Sequence, residues 1–233
     1  MMPVSLTYAD LVRLIRVSIG AALLVAIGIM LLRWSELQAA PLKVFLQIAS
    51  TAIGIPPLLV LAFSKLNWTR PWLAWLLGRR MVHGLWWGEL FTDFKSADEA
   101  NPMGPIQIAF VIKQTYFFLS IQSYTPMQPA HSTLETLVVD PRSARAQLQY
   151  VFEMQRLYLG ENKITTGYGD LRLTSGDLRL EGHYWTNSPT GGRVELDLVT
   201  RNCDGIDSFA DARRVRDEHL GHPQLAKDEE ATV

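Results

Sequence analysis

The sequence predicts a two-helix transmembrane hairpin followed by an all-β domain, a small antiparallel barrel of roughly eight strands. Three observations carry this: two uncharged apolar runs near the N-terminus, a change from helical to two-residue periodicity at His83, and turn residues recurring at hairpin spacing.

The second apolar run, Val44 to Ser64, is closed by Lys65. At 1.5 Å per residue it spans roughly 31 Å, enough for the roughly 30 Å hydrocarbon core of a bilayer. The first, Val17 to Leu32 between Arg16 and Arg33, gives about 24 Å. Leu11, Leu14 and Ile15 extend it, because Arg16 can snorkel back to the headgroups. A cleavable signal ending at Leu37-Gln38-Ala39-Ala40 is disfavoured by the second full-length run behind it. A buried hairpin of a soluble protein is disfavoured because neither run keeps a polar stripe.

Arg13 and Arg16 precede the spans and Lys65, Arg70, Arg79 and Arg80 follow them, whereas Arg33 and Lys43 alone lie between. The positive-inside rule places both termini in the cytoplasm. Ser5 or Thr7 is the expected first cap, Trp34 to Leu42 an expected turn, and Gly54-Ile55-Pro56-Pro57 an expected kink. Residues 1–66 are therefore the membrane region. Residues 67–81, with Trp68, Trp72 and Trp75 among Arg70, Arg79 and Arg80, read as a connector at the headgroup level.

Residues 82–204 hold the expected strands Leu85–Thr92, Ile106–Lys113, Tyr116–Thr125, Thr133–Val139, Gln147–Arg156, Gly169–Thr174, Leu178–Asn187 and Arg193–Thr200. Asn101-Pro102-Met103-Gly104-Pro105, Asp140-Pro141, Ser175-Gly176-Asp177 and Asn187-Ser188-Pro189-Thr190-Gly191-Gly192 supply turn chemistry. Closure into a barrel removes the two exposed edges that so small a sheet would otherwise have. Alternation turns Leu148, Tyr150, Phe152 and Met154 inward, with Leu178, Leu180, Gly182, Tyr184 and Thr186 on another strand, and sets Val194, Leu196 and Leu198 opposite Arg193. An interior of this size holds packed side chains or one small ligand. Residues 205–233 form a charged tail in which Asp207-Ser208 caps a helix running to His219.

The chain has 233 residues and a net charge of −1, which gives no basic field for duplex nucleic acid. Its single Cys203 forms no internal disulfide, which fits a reducing compartment. The histidines His83, His131, His183, His219 and His222 form no HExxH, and no phosphate-binding GxxxxGK[ST] or nucleophile GxSxG is present. No catalytic group, metal or cofactor is expected, and binding is favoured over catalysis.

The order of parts, with His83-Gly84-Leu85-Trp86-Trp87-Gly88-Glu89, Lys113-Gln114-Thr115-Tyr116 and Gly176 through Asn187 in the barrel, resembles the SMODS-associated two-transmembrane, β-strand-rich effectors of CBASS anti-phage signalling. The resemblance covers nearly the whole chain except the tail. It implies that a companion CD-NTase nucleotidyltransferase makes a cyclic nucleotide and the barrel binds it. The helices then self-associate in the bacterial inner membrane and compromise it. The resemblance carries no ligand residues, but a cyclic dinucleotide wants aromatic faces for its bases and cations or hydroxyls for its phosphates. Trp87, Tyr116, Tyr150, Arg156, Tyr184, Thr186 and Arg193 are the expected ligand-binding residues, with Trp87 and Arg193 equally able to face outward. A membrane-tethered lipid or fatty-acid carrier, and a membrane-anchored enzyme, stay open as alternatives.

Overall fold

The computed structural model describes residues 5–65, 78–93, 104–140, 142–143, 145–156, 163–188 and 190–221, without the side chains of residues 37, 63, 64, 155, 156 and 163. Trp68, Trp72 and Trp75 of the expected connector lie outside these residues, as does the tail beyond Gly221. The chain divides into two compact units: Leu6–Arg79 with Thr115–Phe117, and the remainder.

In the first unit, helix α1 (Tyr8–Leu32) starts at a capping box. Thr7 Oγ1 accepts from the Asp10 amide at 3.3 Å, and Asp10 Oδ2 accepts from the Thr7 amide at 3.1 Å. The expected turn after Arg33 instead winds a short helix α2 (Trp34–Ala39), because nothing before Pro41 breaks the helix. Pro41 then opens helix α3 (Pro41–Lys65), where its missing N–H costs nothing. Arg33 Nη1 donates to Gln47 Oε1 at 2.5 Å and sits 3.6 Å from Glu36, tying the three helices together at that end. Helix α3 is continuous through Pro56 and Pro57, so the expected break there is at most a bend.

Both long helices are long and apolar enough to cross a membrane, and only 11% and 6% of their most apolar stretches are covered by protein. Leu24, Leu31, Ile53 and Leu58 are among the exposed side chains. A soluble core helix buries such residues, whereas here the described chain leaves them uncovered.

The second unit is a closed antiparallel barrel of eight strands in sequence order. They are β1 (Gly84–Thr92), β2 (Ile106–Gln114), β3 (Leu119–Tyr124), β4 (Pro129–Val139), β5 (Ala146–Arg156), β6 (Lys163–Thr174), β7 (Arg179–Thr186) and β8 (Gly191–Thr200). β1 pairs with both β2 and β8, which closes the sheet and leaves no free edge. The expected third strand starts three residues late, at Leu119, so Tyr116 is not on it. The expected sixth starts at Lys163 rather than Gly169.

Trp86, Ile112, Leu119, Leu148, Leu171 and Leu180 fill the interior, all fully buried. At the β1 start, Trp86 Nε1 donates to the Val82 carbonyl at 2.8 Å and the Arg201 guanidinium lies 5.6 Å from the indole centre. Arg201 also donates to the carbonyls of His83 at 2.8 Å and Asp177 at 3.1 Å, which plugs that end. Buried Gln114 accepts from the Val82 and His83 amides at 2.8 and 3.2 Å and donates to the Arg80 carbonyl at 3.0 Å.

The Gln114 amide donates to His83 Nδ1 at 3.1 Å, so the imidazole proton sits on Nε2, 3.7 Å from Cys203 Sγ. Burial holds His83 below the ordinary imidazole range. The unfolded chain takes up this proton near pH 6.5, the folded chain only at lower pH. Its contribution to stability is therefore complete above about pH 6.5 and declines as pH falls below it, by up to about 1.4 kcal/mol per pH unit. Melting curves from pH 7.5 to 5 for the wild type and His83→Asn, whose amide oxygen can still accept from Gln114, are expected to diverge on the acid side. Parallel curves would contradict this role for His83.

Helix α4 (Phe209–His219) begins where expected, with Ser208 Oγ accepting from the Asp211 amide at 3.1 Å. It packs Phe209, Ala212 and Val215 on the outer barrel face over Leu85, Ala109 and Val111. The charged tail thus supplies one helix to the barrel's packing.

Candidate functional site

Cross-strand pairing assembles the inward side chains into rows. One row pairs Leu137, Leu148, Leu171, Gly182, Val194 and Leu90 from β4 round to β1 and is wholly apolar. The next row, two residues along, pairs Glu135, Tyr150, Gly169, Tyr184, Gly192 and Thr92. Beyond it Ser132, Phe152, Gly167 and Thr186 form a third. The interior therefore changes, from one layer to the next, from aliphatic to aromatic and polar.

Glycines make this possible. A Cβ on Gly169 would lie 2.3 Å from the Tyr150 ring, and one on Gly167 would lie 2.2 Å from the Phe152 ring. Each ring occupies the space a side chain on β6 would take. Tyr150 is also held edge-on by Phe110, with ring centres 5.8 Å apart, and lies 5.8 Å from Phe152.

Tyr150 is buried, and burial pushes its hydroxyl well above the ordinary phenol range, with the neighbouring Tyr184 adding to the shift. Burial also raises Tyr184, against which a hydrogen bond with the Thr92 side chain works. Glu135 is 4% exposed. Burial raises its carboxyl above the usual range, opposed by a hydrogen bond with Ser132.

Of the residues singled out from the sequence, Tyr150, Tyr184 and Thr186 come together on these inward rows. Thr186 is occupied by its own hairpin: its hydroxyl contacts the Ser188 carbonyl and lies 2.7 Å from Thr190 Oγ1. Trp87, Arg193 and Tyr116 do not join them. Trp87 faces outward under α4, its ring 5.1 Å from that of Phe209 and 4.2 Å from the Arg216 guanidinium. Arg193 is on the outer face, 2.6 Å from Glu195. Tyr116 belongs to the helical unit, where its hydroxyl donates to the Asp10 carbonyl at 2.8 Å and the Arg79 guanidinium is 5.7 Å from its ring. Burial, with the Asp10 carboxylate adding, pushes the Tyr116 hydroxyl up to about 12. Arg156 ends β5 at the same strand parity as Tyr150 and Phe152, paired with Lys163, and its side chain lies outside the described ones.

Replacing Trp87 with Ala is expected to cost about 3 kcal/mol, by removing a ring that anchors α4. Denaturant melts of the wild type and the variant measure the loss. A stable variant would mean α4 is held without this stack.

Sequence reasoning missed Glu135. Leu134, Thr136 and Val138 are the more apolar set on that segment, so alternation alone turns Glu135 outward. A bulge between Ser132 and Leu134 shifts the parity, leaving Leu134 56% exposed and Val138 38% exposed while Glu135 is buried. Pairing with Tyr150 is the signal that places it.

Among the described side chains no inward strand position carries Lys or Arg, although Arg156 and Lys163, paired with each other two residues beyond Met154 and Thr165, keep the inward parity of β5 and β6. Among the described residues no group of three or more His, Cys, Asp or Glu side chains is arranged to hold a metal. The interior layers thus offer aromatic faces, hydroxyls and one carboxyl. Comparison with protein-family models and with curated proteins returned no match.

Proposed function

We propose that this chain is a ligand-gated membrane effector of bacterial anti-phage defence. The barrel binds a cyclic dinucleotide or related cyclic oligonucleotide made by a companion CD-NTase. The helical hairpin, seated in the inner membrane with both termini cytoplasmic, then self-associates and breaches the bilayer, which aborts infection.

One observation carries this reading. Two helices whose apolar side chains lack protein cover are joined to a closed barrel whose interior turns aromatic and polar at two successive layers. The distribution of Arg and Lys about the spans supports the orientation. The polar row counts against a fatty-acid carrier, because an alkyl chain offers no donor to the buried Glu135 Oε2.

The test is co-expression with a cyclic-nucleotide synthase, reading growth and dye entry, beside thermal shifts of the purified full chain in nanodiscs. Arrest with dye entry, and a rise in melting temperature with one member of a panel of cyclic di- and trinucleotides, are expected. No shift with any of them would remove the sensing half. Copurified lipid in the barrel, without toxicity, would favour the carrier. An unrelated two-span hairpin that preserved killing would reduce the native one to an anchor.

A further inference from the structure

The Glu135–Ser132 contact has one proton too few if the carboxyl is ionised. Ser132 Oγ lies 2.8 Å from the Ile121 amide, which donates to it, 3.0 Å from the Ile121 carbonyl, and in short contact with Glu135 Oε1. The bulge accounts for this: the Ser132 side chain replaces the ladder partner that Ile121 would otherwise meet on β4. A hydroxyl has one proton. Given to the Ile121 carbonyl, it leaves the Oε1 contact to be bridged by a proton on Glu135. With the carboxyl neutral, the Ile121 amide and carbonyl, the Ser132 hydroxyl and Oε1 are all satisfied together. The upward push of burial on this carboxyl agrees with that state.

Oε2 is then an uncharged acceptor, buried, with no hydrogen-bond partner among the described residues. The fold gains nothing from it, since Ser132 and Ile121 satisfy each other without Glu135, and an apolar side chain there would avoid the desolvation cost. Its neighbour along the row is the Tyr150 ring, an aromatic face. A phosphate oxygen set against Oε2 would bring two acceptors together, whereas a nucleobase offers an N–H on its edge and a flat face for the ring.

We infer that Glu135 is a specificity-determining residue of the barrel, whose Oε2 accepts an N–H from the edge of the ligand's nucleobase beside Tyr150. This rests on the cyclic-nucleotide reading above. It assigns the Glu135–Tyr150 layer of the interior to a base.

The experiment uses the full chain in nanodiscs as wild type, Glu135→Met and Glu135→Gln, titrated calorimetrically with cyclic di- and trinucleotides of differing base composition and melted without ligand. Glu135→Met is expected to bind the preferred nucleotide at least about tenfold more weakly, the worth of one lost polar contact, while melting at or above the wild-type temperature. Glu135→Gln, whose amide can donate to Ser132 and still present a carbonyl, should stay within about threefold of wild type. Wild-type affinity in Glu135→Met, or a marked loss of its thermal stability, would overturn the assignment while leaving the cyclic-nucleotide reading intact. Failure of the wild type to bind any nucleotide would overturn both.

Discussion

Gly182→Ala is expected to destabilise the barrel by about 3 kcal/mol or more, at the upper end of overpacking costs. A Cβ built at Gly182 lies 1.9 Å from the Asp170 carbonyl oxygen and 2.9 Å from Leu171 Cα. Those atoms are backbone of the paired strand β6, so no rotamer change relieves the overlap and the ladder itself must part. Parting β6 from β7 opens a closed sheet and exposes two edges. Chemical denaturation checks this against Gly104→Ala, where a Cβ meets nothing within 4 Å and no loss is expected. Equal stability of the two variants would show that the barrel absorbs the methyl group.

Gln114→Leu is expected to cost about 3–5 kcal/mol, the sum of two stranded amides and one stranded carbonyl. The replacement fills nearly the same volume, so the loss is not that of a cavity. It arises because Gln114, 1% exposed, closes the amides of Val82 and His83 and the carbonyl of Arg80 with one side chain. These are the residues by which the chain enters β1, and burial bars water from serving as substitute. The midpoint of denaturant unfolding measures the effect. A cost below about 1 kcal/mol would mean these groups find other partners.

The candidate site was partly legible. Tyr150, Tyr184 and Thr186 lie on strands where the apolar residues alternate cleanly, and there parity gave the inward face correctly. Parity also set Arg193 opposite Val194, so its outward position follows from the same pattern. Tyr116 was misplaced because β2 and β3 are joined by a turn that reads as a continuation of strand, and its aromatic run hides the break. Trp87 could not be resolved from its neighbour Trp86. One plugs the interior and the other meets Phe209 and Arg216, residues more than a hundred positions on.

By itself the sequence determined the two long apolar helices, the switch to strand periodicity, all eight strands and the Ser208 cap, because each is written in spacing within a few turns of chain. Tertiary structure alone decided the side of β4 that faces inward. A bulge changes parity at one residue, and its position depends on how Ser132 and Ile121 meet across two strands rather than on any local pattern. That shift takes Glu135 in along with Leu137 and puts Leu134 and Val138 out, an arrangement set by cross-strand register rather than by hydrophobicity along the strand.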